Sequence, residues 1–183
     1  GPANLKTTDG FLFWHEDAKV QRLPNDATAL PVINIKITGM EVTQGIQNLS
    51  NSVSLIKGRK TFVRLYVKSD GVSVPGVNAT LSAPSLGLGP LQPVNTTGTK
   101  ITVRNTPSRN DIEQSCLFEL PWSWLNGNSL NLRADLNPYR APLEPNYADN
   151  VLSQSFTLLP SPTLSVEFFR LNYTIGGGVN PFH

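Results

Sequence analysis

The stretch Leu130–Leu158, LNLRADLNPYRAPLEPNYADNVLSQSFTL, decides the fold. Leu130, Leu132, Ala134 and Leu136 alternate with Asn131, Arg133, Asp135 and Asn137, the period of two that puts one face of a strand in a core and the other in water. Phe156 and Leu158, set against Ser153, Ser155 and Thr157, predict a return strand whose alternation is less regular around Leu152 and Gln154. Between the two, Pro138, Pro142 and Pro145 lack the N–H that a ladder needs, and each restricts its predecessor. Residues 137–150 therefore read as an exposed connection. The whole stretch is expected to be the closing hairpin of a β-sandwich.

Working outward, Ile33, Ile35 and Ile37 alternate with Asn34, Lys36 and Thr38, and after Gly39 the apolar parity moves to Met40 and Val42, which predicts a bulge or bend. Val53 and Leu55 form a short strand-like piece. Val63, Leu65 and Val67 make one face of the next strand; Phe62, Arg64 and Tyr66 make the other, with rings and a guanidinium suited to covering a partly exposed sheet face. Val77, Ala79, Leu81 and Ala83 repeat the alternation, and the following SLGLGPLQPVNTTG cannot continue a central strand. Thr99, Ile101 and Val103 give another strand. Cys116, Phe118 and Leu120 give one more, ended by Pro121 ahead of a short helical turn around Trp122–Leu125. About seven strands without a long helix predict an all-β fold, an immunoglobulin-like antiparallel β-sandwich over residues 31–160.

Residues 1–30 read as an N-terminal extension, because FLFWHEDAKVQRLPND keeps neither a helical nor a strand period; Phe11, Phe13 and Trp14 are expected to pack on the domain. Past Pro160-Ser161-Pro162, residues 161–183 read as a linker and the start of a following domain or a C-terminal strand. Leu164, Val166 and Phe168 there oppose Ser165 and Glu167.

Composition narrows the setting. A charged fraction of 15%, with Ser, Thr and Asn in place of Lys and Glu, suits a β-rich surface of an extracellular or cell-surface protein. A net charge of +2, with no basic run longer than Lys57, Arg59 and Lys60, argues against nucleic acid and anionic membranes as partners. Cys116 has no second cysteine to pair with, and no apolar run approaches the roughly 20 residues of a membrane-spanning helix.

Two stretches carry a resemblance. ITGMEVTQGIQNLSNSVSLIKGRKTFVRLYVK, residues 37–68, resembles the opening of immunoglobulin-like modules in large secreted bacterial proteins, some of which carry a metallopeptidase domain downstream. LRADLNPYRAPLEPNYADN, residues 132–150, resembles the signature of the bacterial cell-adhesion-related domain. In that signature an acidic-Asn-Pro turn precedes Glu-x-Asn and a closing Asp/Asn-Asn before the last strand, here Asp135, Asn137, Pro138, Glu144, Asn146, Asp149 and Asn150. Tyr139, Arg140 and Tyr147 depart from it, being bulkier than the short acidic turn expected. The resemblance implies a spacer, an adhesive element or a support for a neighbouring catalytic domain.

Two candidate sites stand beside that reading. Asp135, Asn137, Glu144, Asn146, Asp149 and Asn150 supply hard oxygen ligands within one loop, as calcium requires. The competing reading, favoured because the spacing matches no EF-hand, is that such side chains bond nearby backbone and hold the turn without an ion. Trp122, Trp124, Tyr139 and Tyr147, with Arg140, could offer sugar rings a stacking platform, against the more ordinary role of capping a core. No catalytic set is expected: His15-Glu16 opens like HExxH but continues Asp17-Ala18-Lys19, the other histidine is His183, and no G-x-S-x-G elbow exists. The expected function is a non-catalytic accessory or adhesion-type module, acting on a protein partner or positioning a neighbouring domain. The alternatives are a carbohydrate- or calcium-dependent binding module, and the N-terminal part of a secreted zinc peptidase whose catalytic residues lie outside this chain.

Overall fold

A computed structural model describes residues 33–95 and 100–169 in full and, outside them, the backbone of short strands. Three of these, β1 (Lys6–Thr8), β2 (Phe11–Glu16) and β3 (Lys19–Pro24), form an antiparallel sheet within the segment expected to be an aperiodic extension. The run Phe11-Leu12-Phe13-Trp14 is apolar at every position, so it shows no alternation, yet its backbone pairs from Phe11↔Pro24 to Glu16↔Lys19. The expected packing of Phe11, Phe13 and Trp14 lies outside the described residues.

Nine strands build the sandwich: β4 (Asn34–Thr43), β5 (Leu55–Ile56), β6 (Phe62–Asp70), β7 (Val74–Ala83), β8 (Leu88–Leu91), β9 (Lys100–Val103), β10 (Ser115–Glu119), β11 (Ser129–Leu136) and β12 (Val151–Leu159). One sheet runs β10-β6-β4. The other runs β5-β12-β11-β7-β8, and β9 also pairs with β7. With β4, β6 and β10 facing β7, β11 and β12, the strands divide as in an immunoglobulin-like sandwich. The sole parallel pairing within it sets β5 against Leu158 and Leu159 at the end of β12.

The parity change in β4 is a bulge. Ile37 pairs with Val67 and Gly39 with Tyr66, so Thr38 is the extra residue. The slip lets Ile35 on one side of it and Met40 and Val42 on the other all reach the core. There they meet Val63, Leu65 and Val67 of β6 and Phe118 of β10. Leu81 of β7, Leu130, Leu132 and Leu136 of β11 and Leu158 of β12 enter from the opposite sheet, all buried. The Gly- and Pro-rich stretch does form a strand, β8, but at a sheet edge where Pro90 costs no ladder bond. Gly89 crosses Ser82 there with φ of 116°, and a Cβ on it would lie 2.9 Å from the Ser82 Cα.

A 3₁₀ turn at Trp122–Leu125 closes one end of the core by burying Trp124 and Leu125. At the C-terminal side the expected strand through Leu164, Val166 and Phe168 is not formed. Residues 160–169 have no ladder partner among the described residues, and strands resume with β13 (Asn172–Ile175) and β14 (Gly178–Pro181), which pair with each other. Alternation marks a strand's faces, but only a second backbone can satisfy its N–H and C=O groups. No helix among the described residues is long and apolar enough to cross a membrane.

Candidate functional site

The loop joining β11 to β12 is a clasp between the two sheets. It begins with Asn137 in the left-handed region at φ of 52°, a conformation that asparagine tolerates. The Asn137 side chain accepts from the Ala141 N–H (2.8 Å) and donates to the Pro142 carbonyl (2.7 Å). Glu144 turns into the protein. Its Oε1 accepts from the amides of Asn137 (2.6 Å) and Asn150 (2.8 Å), and its Oε2 from the Ile35 N–H of β4 (2.7 Å). A carboxylate held by three N–H donors meets its need for positive partial charge without an ion. The Glu144 N–H donates to the Tyr147 hydroxyl (2.9 Å), and Asn146 Oδ1 accepts from the Ala148 N–H (3.0 Å).

The six oxygen donors considered for calcium therefore do not form one shell. Asn137, Glu144 and Asn150 are bonded to one another. Asp135 forms an ion pair with Arg133 (2.8 Å), Asn146 caps its own turn, and Asp149 accepts from Asn34 of β4 (3.0 Å). Asn34 also reaches Asp70, whose carboxyl lies below the usual carboxylate range chiefly because Lys36 donates to it. Among the described residues no three His, Cys, Asp or Glu side chains converge as metal ligands would.

The aromatic residues are divided too. Trp122 is 60% exposed and Trp124 only 3%, both just before β11, whereas exposed Tyr139 and half-buried Tyr147 follow it. A strand of that length separates the pairs by ~26 Å, so the four rings do not share one platform. Arg140 lies 4.8 Å above the Tyr147 ring, and both line a cleft of about 240 Å³ with the Arg133–Asp135 pair, whose charges satisfy each other. On the outer face of the first sheet, Arg64 lies 4.9 Å over the Tyr66 ring. The Tyr66 hydroxyl and Arg109 both donate to Glu41 (2.8 Å each), a cluster no sequence pattern announced.

The sheet edges carry the sharpest contrast. On β4 four outward backbone groups are taken by side chains: Ile35 N–H by Glu144, Val42 N–H by Asn51 Oδ1 (2.8 Å), Met40 C=O by Asn51 Nδ2 (2.9 Å) and Val42 C=O by Gln47 (3.1 Å). On β10, Val94 N–H reaches the Leu117 carbonyl (2.7 Å), and Asn95 bonds both Leu117 N–H and Ser115 C=O (2.9 Å each). β8 carries Pro90 and β9 starts at Lys100. β12 has no such finish. Leu158 N–H points to Asn128 beside β11 while Leu159 C=O points away to Lys57, so the odd-numbered residues Val151, Ser153, Ser155 and Thr157 turn their backbone groups outward. Among the described residues the ladder with β5 occupies only the Thr157 carbonyl, and nothing pairs with the others. The strand, VLSQSFTLL, contains neither charge nor proline. Beside it runs a groove of about 320 Å³, walled on its far side by Ser50–Leu55. Charge-free composition is legible in a sequence; that β12 would be an edge is not.

No protein-family model, curated protein or solved structure matches this chain. Fold and loop together define an all-β sandwich module of immunoglobulin-like topology, its two sheets clasped at one end by a buried carboxylate.

Proposed function

We propose that this chain is a non-catalytic module of a larger extracellular or cell-surface protein, of the bacterial cell-adhesion-related kind that its closing hairpin resembles, and that it acts by protein contact along β12. The observation that carries this reading is the bare, uncharged β12 edge beside a groove, in a sandwich whose other edges are blunted. Exposed edges recruit extended segments: main-chain hydrogen bonds supply affinity and flanking pockets supply side-chain preference. Selection of displayed hexapeptides on the folded chain, counter-selected on a Ser155→Pro variant, tests it. Enrichment of sequences alternating apolar and polar residues is expected on the unmodified chain alone; equal enrichment on both removes the reading.

A further inference from the structure

The segment Leu164–Phe169 has the chemistry of a strand and no ladder partner among the described residues. Leu164, Val166 and Phe168 alternate with Ser165 and Glu167, and the three apolar side chains are 83%, 58% and 94% exposed. The edge of β12 has the opposite deficit: β5 covers only its last residues, and the rest has no outer strand among the described residues. We propose that Leu164–Phe169 of a second copy of this chain adds to β12 as that strand, an inference that rests on the contact reading given above and names its partner.

Length and shape agree. Six extended residues span ~20 Å, close to the run from Val151 to Thr157. Beside Gln154–Thr157 the groove has a second wall in Ser50–Leu55, which would flank the incoming segment. Alternate side chains of the incoming strand would lie on the same face as Leu152 and Phe156 of β12, while its Ser165 and Glu167 turn to water beside Ser153 and Ser155. Val151, Ser153 and Ser155, with the N–H of Thr157, supply the backbone hydrogen bonds.

Addition within one chain is blocked. A hairpin folding back after Pro160-Ser161-Pro162 would first pair with Leu159 and Leu158, where β5 already lies and where Lys57 N–H holds the Leu159 carbonyl (2.8 Å). Donation between copies meets no such obstacle. Because donor and acceptor are different surfaces, the contact is heterologous, and successive copies would extend head to tail or close into a ring.

Sedimentation velocity of the chain over a dilution series tests this. The mass is expected to rise above one chain with concentration. Val166→Asp or Phe168→Asp, both outside the sandwich and so unable to unfold it, should raise the midpoint concentration at least about tenfold, the effect of placing a charge at an apolar anchor. Ser155→Pro should do the same from the acceptor side. An equimolar mixture of Val166→Asp and Ser155→Pro chains should recover association but stop at two chains. Association indifferent to both donor variants overturns the proposal in favour of β12 pairing with its own copy. A chain that stays monomeric throughout while still enriching alternating hexapeptides overturns the assigned donor and leaves the contact module standing; monomeric behaviour without enrichment removes both.

Discussion

Strands β4 and β12 lie against each other on the same side of the sandwich, one in each sheet, and are finished in opposite ways. Four outward groups of β4 are satisfied by Glu144, Asn51 and Gln47, whereas those of β12 from Val151 to Ser155 meet no partner among the described residues. Both strands were available to the same solvent and the same neighbouring loops. The difference shows that an open edge is not an unavoidable by-product of a sandwich: this chain caps one with side chains and leaves the adjacent one uncharged and largely unpaired.

The largest effect on that comparison is expected from Glu144→Ala. It strips three buried donors of their acceptor at once and should cost about 3–5 kcal/mol, measured as a fall in the denaturant midpoint at constant slope. A loss below about 1 kcal/mol would mean that the clasp contributes little and that the β4 edge is sealed by the core beneath it. Asn51→Ala removes two edge bonds and also places alanine at φ of 52°, so a cost of about 2 kcal/mol is expected in the same measurement.

Cys116 probes the sealed sheet from inside. Burial alone pushes its thiol from 9.0 up to about 12, which keeps it protonated and unreactive in the folded protein. Thiol labelling at pH 8 should therefore follow unfolding. The stability held by the protonated thiol is fully present below pH 9 and declines as the pH rises from 9 toward 12, because the unfolded chain ionises first. Rapid labelling of the native chain would show that the edge covered by Asn95 opens readily. Hydrogen exchange makes the comparison directly: at dilutions where the chain is a single copy, the Ile35 and Val42 amides should exchange slowly and those of Ser153, Ser155 and Thr157 fast. The smallest effect belongs to Ser155→Lys. Its exposed side chain should change stability by less than about 0.5 kcal/mol while charging the bare edge.

Much of the fold was legible because it is local. The alternations in β4, β6, β11 and β12 follow from residue spacing alone, and the displacement of apolar parity around Gly39 identified the bulge before any pairing was known. The N-terminal strands are not legible because Phe11 to Trp14 is apolar throughout, nor is β8, whose Gly and Pro mask an edge strand. The candidate site was less legible. Glu144 stood out as a polar loop residue, but its bond to Ile35 spans a separation of 109 residues, which no local pattern encodes.

What the sequence by itself determined is which residues of each strand face the core and where the chain must turn, since both are properties of one strand or one loop. Only the tertiary structure decided which strands became edges, which edges were closed, that Trp122 and Tyr139 lie at opposite ends of β11, and that Leu164–Phe169 has the pattern of a strand without a sheet. Alternation needs one backbone; a satisfied hydrogen bond needs two, and the position of the second is set by packing between residues far apart in the chain.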